Sequence, residues 1–123
     1  MDKTKLEEFN PWWSNNKVDL ELALPFKRDI YFEAENHLDK KFIIALVGLR
    51  RVGKTTIFYQ LIQKLIQSHI NPANILFFSF DEMSAELNEV LDAYKEFQSK
   101  NFREEKIYIF LDEIQKFFLQ EFL

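Results

Sequence analysis

The chain has 123 residues, 47% of them hydrophobic and 29% charged, which is enough for one globular domain with a modest core. Its lack of cysteine excludes disulfides, thiolate metal sites and a cysteine nucleophile. A net charge of −4 disfavours a general nucleic-acid-coating surface, and no apolar run approaches the roughly 20 residues of a membrane-spanning helix. Because the first residues also lack the apolar stretch of a signal peptide, the sequence predicts a soluble, cytoplasmic protein.

Residues 1–27 are predicted to form an irregular, polar lead-in. Asn10 and Leu24 each precede a proline, and a residue in that position avoids the helical conformation. Trp12 and Trp13, the two tryptophans of the chain, are expected to cover the core rather than to stack on a nucleotide base.

Residues 28–123 are predicted to form an α/β domain. The spacing of apolar residues predicts helices at 28–41, 54–69 and 86–98, and strands at 42–47, 75–80 and 107–111. The strands are short apolar runs of the kind found in parallel sheets that are buried on both faces. The alternating order of strands and helices predicts parallel pairing, right-handed crossovers and helices on the sheet faces.

A phosphate-binding motif follows the first predicted strand and opens the next helix. The pattern G-x-x-x-x-G-K-S/T is matched by Gly48, Leu49, Arg50, Arg51, Val52, Gly53, Lys54 and Thr55, with Thr56 following. Glycine permits the close approach that lets several backbone N–H groups face a phosphate, and the helix N-terminus favours the anion. We predict a site for ATP and Mg²⁺ in which Lys54 reaches the phosphates and Thr55 is a metal ligand. The alternative is an ordinary strand-to-helix turn with a solvated lysine.

A pair of acids, Asp112 and Glu113, ends the third predicted strand in the manner of a Walker B motif. Ligands of open α/β sheets bind at the carboxyl ends of the strands, so these acids are expected at the same edge as the phosphate loop. Asp112 would hold Mg²⁺, directly or through water, and Glu113 would polarise the water that attacks the γ-phosphate. The alternative is a solvated acidic turn at a strand end.

Residues 48–56 (GLRRVGKTT) and 107–116 (IYIFLDEIQK) together resemble the prokaryotic AAA+-type ATPases often called archaeal ATPases. The segments Asn10-Pro11-Trp12-Trp13 and Arg28-Asp29-Ile30-Tyr31 are similar to the N-terminal lead-in of that group. The resemblance covers most of the chain. It implies a P-loop NTPase three-layer sandwich with a parallel sheet, ATP and Mg²⁺ as ligands, hydrolysis by a glutamate-activated water, and a tendency to form homo-oligomers.

The same resemblance predicts that the core is incomplete. Such ATPases continue past the Walker B motif, and one of their later strands lies between the phosphate-loop strand and the Walker B strand. This sequence ends at Leu123, so it is expected to be the N-terminal portion of a longer protein or a truncated reading frame. Without the later strand, either backbone groups are left unpaired or the two flanking strands pair directly.

Three functions remain open at this point. The first is an ATPase that couples ATP binding and hydrolysis to conformational change. The second is a nucleotide-binding or subunit-interaction fragment without hydrolysis, which the lack of an assignable arginine finger favours. The third is a P-loop kinase that passes phosphate to a small molecule, for which little chain remains to build a lid and an acceptor site.

Overall fold

The computed structural model describes residues 1–27, 29–36, 43–46, 54–101 and 104–113. The helices are α1 (Lys3–Phe9), α2 (Trp12–Asn15), α3 (Asp29–Glu35), α4 (Lys54–Gln67) and α5 (Leu87–Phe97), and the strands are β1 (Ile43–Leu46), β2 (Ile75–Ser79) and β3 (Tyr108–Asp112). A short 3-10 turn, Pro72–Asn74, precedes β2. The predicted strands and helices of the α/β domain are therefore confirmed over the residues described.

The prediction that residues 1–27 are irregular is wrong, because this segment contains α1 and α2. Asp2 caps α1 by accepting a 3.0 Å hydrogen bond from the Thr4 backbone N–H. Helix α2 ends at Asn15, and the C-cap residue Asn16 adopts the left-handed conformation with φ of 59°. Helices of one or two turns are too short to show a clear apolar period, which is why the sequence pattern missed them. The proposed division of the chain at residue 27 stays a prediction.

The three strands form a parallel sheet in the order β1-β3-β2. Strand β1 pairs directly with β3, from Ile43 opposite Ile109 to Leu46 opposite Asp112. Parallel pairing is therefore confirmed. Of the two arrangements expected for the phosphate-loop and Walker B strands, direct pairing is the one observed. The complete P-loop sandwich that the resemblance implies stays a prediction.

The core lies on both faces of the sheet. On one face, Phe77 and Phe110 pack with Phe58 of α4 in a cluster that also contains Trp12. On the other, Leu76 and Ile109 pack against α5 and Leu6 of α1. Every residue of β2 and β3 is buried, which explains why the two strands are almost continuously apolar rather than alternating. Burying each large apolar side chain in this way contributes roughly 1.5–3 kcal/mol.

Candidate functional site

The carboxyl ends of the strands meet at one edge of the sheet. The register places Asp112 of β3 between Leu46 of β1 and Ser79 of β2. These three residues define the edge at which an open α/β sheet binds its ligands. The prediction that Asp112 lies at the same edge of the sheet as the end of the first strand is confirmed for the backbone.

Helix α4 packs against β3 near this edge. The ring of Phe58 lies 5.4 Å from the ring of Phe110, centroid to centroid. Lys54 is one helical turn before Phe58, about 6 Å along the axis, and Asp112 is two strand residues beyond Phe110, about 6.6 Å. Because a crossover helix runs back antiparallel to the strands, we infer that the N-terminus of α4 faces the carboxyl edge of the sheet. An anion at this helix N-terminus would meet a favourable partial charge.

The structure describes the predicted site residues to different extents. Those of the loop itself lie outside the described residues: Gly48, Leu49, Arg50, Arg51, Val52 and Gly53. Lys54 and Thr55 form the first turn of α4, where only their backbone positions are described, and Thr56 follows half-buried. Asp112 is the last residue of β3, and Glu113 comes directly after it. The phosphate contacts assigned to Lys54 and Thr55 therefore stay predictions.

Asp112 is a buried acid, with 7% of its surface exposed. The Ser79 hydroxyl donates a 3.2 Å hydrogen bond to Oδ2 of Asp112. The Asp112 carbonyl accepts from the Phe80 backbone N–H at 3.0 Å, which extends the β2–β3 pairing to the edge. A hydroxyl that donates to a carboxylate both stabilises its charge and fixes its orientation. Ser79 therefore holds the acid that the sequence assigns to Mg²⁺.

Sequence reasoning gave Ser79 no role. The signal that could have found it is its position as the one polar residue in the run of β2, at the carboxyl end of the strand. Only the sheet register shows that this residue stands opposite Asp112. That pairing depends on contacts between distant parts of the chain.

Glu113 has a left-handed backbone, with φ of 58°. This conformation costs a non-glycine residue roughly 1 kcal/mol or more, and such residues are concentrated at functional sites. The role predicted for Glu113, polarising the attacking water, stays a prediction.

Tyr59, on the second turn of α4, adds a neutral hydroxyl to the surroundings of Asp112. Its ring lies 5.2 Å from that of Phe77 and 6.4 Å from that of Trp12. Burial raises the pKa of Tyr59 to about 12, and the negative charges of Glu82 and Asp112 add to the effect. The phenol is thus protonated at neutral pH. The sequence contained no feature that pointed to this residue.

A separate groove of about 280 Å³ lies between α1 and the turn after β2. It is lined by Lys5, Glu8, Phe9, Glu82 and Met83. None of these belongs to the predicted phosphate or metal residues.

Residues 40–118 match the family model described as an AAA domain, and this range is more than half of the chain. The chain belongs to this AAA family. The matched range contains the three described strands of the AAA domain, the glycine-rich motif and both acids. The resemblance drawn from the two motifs is therefore confirmed. Membership supports nucleotide binding as the general function of this family, while the specific activity stays a proposal.

The AAA domain is also 45% identical over 80 residues to an uncharacterized protein of Methanocaldococcus jannaschii. The match covers 63% of this chain and 17% of the relative, so the chain spans less than a fifth of that protein's length. No solved structure matched the chain. Across the parts of the AAA domain that the structure describes, no helix combines the length and apolar character needed to cross a membrane.

Proposed function

We propose that this AAA domain binds ATP with Mg²⁺ at the carboxyl edge of its sheet and hydrolyses it, coupling the cycle to conformational change. The observation that carries the proposal is the placement of buried Asp112 at the end of β3, opposite Leu46 at the carboxyl end of β1. In an AAA family member, that edge is where a glycine-rich loop and an acid pair would meet the triphosphate.

The donors at this edge fit the proposed metal. Mg²⁺ prefers hard oxygen ligands, keeps several waters and takes only one or two carboxylates. Asp112 offers a carboxylate held by Ser79, and Thr55 would add its hydroxyl from the first turn of α4. When bound, Mg²⁺ would supply positive charge that offsets the charge of the phosphates.

The remaining roles belong to the residues of the chain. Backbone N–H groups of residues 48–56 would cradle the phosphates, and the Lys54 ammonium would add a positive charge to them. Glu113 would accept a proton from the attacking water. Its left-handed backbone sets its position relative to the end of β3.

The test uses two variants of the 123-residue chain, each with a matched control. Lys54→Ala is expected to abolish ATP binding measured by calorimetry, while Lys64→Ala on the exposed side of α4 leaves it intact. Glu113→Gln is expected to keep binding and stop phosphate release, while Glu89→Gln on α5 changes neither. Normal turnover by the Glu113→Gln variant would remove Glu113 from its role, and normal binding without Lys54 would overturn the site.

A second candidate is nucleotide binding without hydrolysis by the chain alone. The direct β1–β3 pairing favours it, because this is where the resemblance places a further strand of the complete ATPase. Phosphate release measured over a series of protein concentrations separates the two candidates. Release per chain that rises with concentration would support a homo-oligomer in which a neighbouring copy supplies an arginine. A purified chain that binds ATP and releases no phosphate at any concentration would support the second candidate.

A further inference from the structure

Along the outer edge of β2, the edge away from β3, the backbone groups of Ile75 and Phe77 and the carbonyl of Ser79 are bonded to partners that are not strands. Leu76 and Phe78 direct their backbone groups towards β3, and their neighbours Ile75, Phe77 and Ser79 direct theirs outward. An outward row of N–H and C=O groups is what a sheet offers to another strand. The partners of these outward groups therefore decide whether another strand can add.

Asn10 pairs with Phe77 as the backbone of a neighbouring strand would. The Phe77 N–H donates to Oδ1 of Asn10 at 2.6 Å, and Nδ2 of Asn10 donates to the Phe77 carbonyl at 3.0 Å. The second Nδ2 hydrogen goes to the Leu6 carbonyl at 2.8 Å. With only 1% of its surface exposed, Asn10 has its polar side chain fully engaged with backbone groups. The side-chain amide thus occupies the hydrogen-bonding positions of an added strand.

The two tryptophans bond to the next outward carbonyl along the edge, that of Ile75. Nε1 of Trp12 and Nε1 of Trp13 both donate to the Ile75 carbonyl, at 3.1 and 2.7 Å. Trp12 is fully buried, and the ring of Trp13 stacks 5.6 Å from that of Tyr94. Both carbonyl lone pairs of Ile75 are therefore taken by side chains that the core holds in place.

At the two ends of β2, outward backbone groups form hydrogen bonds with backbone groups of the adjoining turns. The Ile75 N–H donates to the Pro72 carbonyl, within the turn before the strand. At the other end, the Ser79 carbonyl accepts from the Met83 N–H at 3.3 Å. Partners supplied by the chain thus extend from the first to the last residue of β2.

We propose that Asn10, Trp12 and Trp13 form an edge cap that prevents β2 from pairing with the β2 strand of a second copy of this chain. The strand they protect, Ile75–Ser79, is wholly buried and nearly all apolar, which is the composition of a strand prone to edge-to-edge association. A second copy is the natural occupant, because two identical edges can pair about a two-fold axis and satisfy each other.

Hydrogen exchange in the 123-residue chain tests the first part of the proposal. Asn10→Ala removes the acceptor of the Phe77 N–H, so exchange at Phe77 is expected to accelerate roughly tenfold or more relative to Phe78, whose N–H faces β3. Asn88→Ala, on the exposed side of α5, is the matched control and should leave both rates unchanged. Equal acceleration at Phe77 and Phe78 would mean general destabilisation and would overturn the cap.

Sedimentation tests the second part and does not depend on the first variant folding. The double substitution Trp12→Phe and Trp13→Phe keeps two aromatic rings but removes both donors to the Ile75 carbonyl. We expect this variant to self-associate at least roughly tenfold more strongly than the unaltered chain, with the Ile75–Ser79 segment protected in the dimer. Unchanged association over the whole concentration series, in a variant that retains its circular dichroism, would overturn the proposal.

Discussion

Asn10 and Asp112 are both buried polar side chains beside β2, and they differ in what they bond to. The Asn10 amide is engaged by backbone groups of Leu6 and Phe77 in the middle of the strand edge. The Asp112 carboxylate receives the Ser79 hydroxyl at the rim of the sheet. A neutral amide bonded to fixed backbone groups serves the fold, whereas an acid held by a rotatable hydroxyl at the rim is suited to bind a cation. The comparison therefore gives Asn10 a structural role and supports the proposed role of Asp112 in binding Mg²⁺.

Exchanging the amide and the carboxylate tests this contrast, and the largest effect is expected when the carboxylate is placed at position 10. Asn10→Asp keeps an acceptor for the Phe77 N–H but sets a carboxylate against the carbonyls of Leu6 and Phe77. We expect a loss of about 3 kcal/mol in the free energy of unfolding at neutral pH, because the buried charge then has the Phe77 N–H as a donor but faces two carbonyl oxygens. Urea denaturation, with Asn88→Asp as the exposed control, measures it.

The pH dependence of that variant has a definite sign. The buried position would raise the pKa of the new carboxyl above its unfolded value, so its protonated form is the one the fold tolerates. The deficit relative to the unaltered chain is therefore expected to shrink as the pH falls towards the unfolded pKa, about 4 for an aspartate. A deficit that is the same in acid and at neutral pH would show that lost packing, not charge, causes it.

The reverse exchange at the rim should affect the ligand more than the fold. Asp112→Asn can still accept the Ser79 hydroxyl, so we expect the unliganded chain to stay within about 1 kcal/mol of the original stability. Saturating Mg²⁺ and ATP should stabilise the original chain by about 2.7 kcal/mol at a hundredfold excess over Kd, and the variant by much less. Thermal denaturation with and without ligand measures both effects, with the exposed substitution Asp92→Asn as control. Equal ligand stabilisation in the two chains would contradict the assignment of Asp112.

Removing the hydroxyl that holds the acid should have an intermediate effect. Ser79→Ala deletes the hydrogen bond to Oδ2 of Asp112, and we expect a stability loss of about 1 kcal/mol. Affinity for Mg²⁺ in the presence of ATP should fall by up to about tenfold, as when a partner of a metal ligand is lost. Ser68→Ala removes an exposed hydroxyl of the same kind and should alter neither quantity. Unchanged metal affinity in the Ser79→Ala variant would confine Ser79 to a role in packing.

The smallest expected effect concerns Tyr59, whose pKa is raised mainly by burial and to a lesser extent by the charges of Glu82 and Asp112. Because the pKa of Tyr59 rises from 10 to about 12 in the fold, its contribution to stability is complete below pH 10 and is lost as the pH rises towards 12. The Tyr59→Phe variant should therefore lose less stability than the original chain between pH 10 and 12. The difference between the two losses should be about 1 kcal/mol or less, because solvent screens the half-buried ring. Urea denaturation on both sides of this range measures the difference. When the same comparison is made in chains that carry Asp112→Asn, the difference that Tyr59→Phe makes should be smaller. An equal difference in those chains would show that Asp112 does not contribute to the raised pKa of Tyr59.

The pattern of apolar residues predicted the strands and the longer helices because each depends on its own segment. The acid pair was predicted for the same reason, since Asp112 and Glu113 follow a buried strand directly. The partners of Asn10 could not be predicted, because they include Phe77, which lies 67 residues away on β2 and becomes a neighbour only in the folded chain. Ser79 escaped for a related reason, as its role is fixed by strand register. Tertiary hydrogen bonds, unlike periodicity, leave little trace in a single sequence.

The backbone of Glu113 has a consequence for how this position would respond to selection in the laboratory. A glycine would adopt a φ of 58° without steric cost, so Glu113→Gly should relax the turn while deleting the carboxylate. A screen that rewards thermal resistance alone would then favour glycine, and a screen that rewards turnover would restore the acid. Under the proposed function, position 113 is therefore a place where this chain trades stability for chemistry.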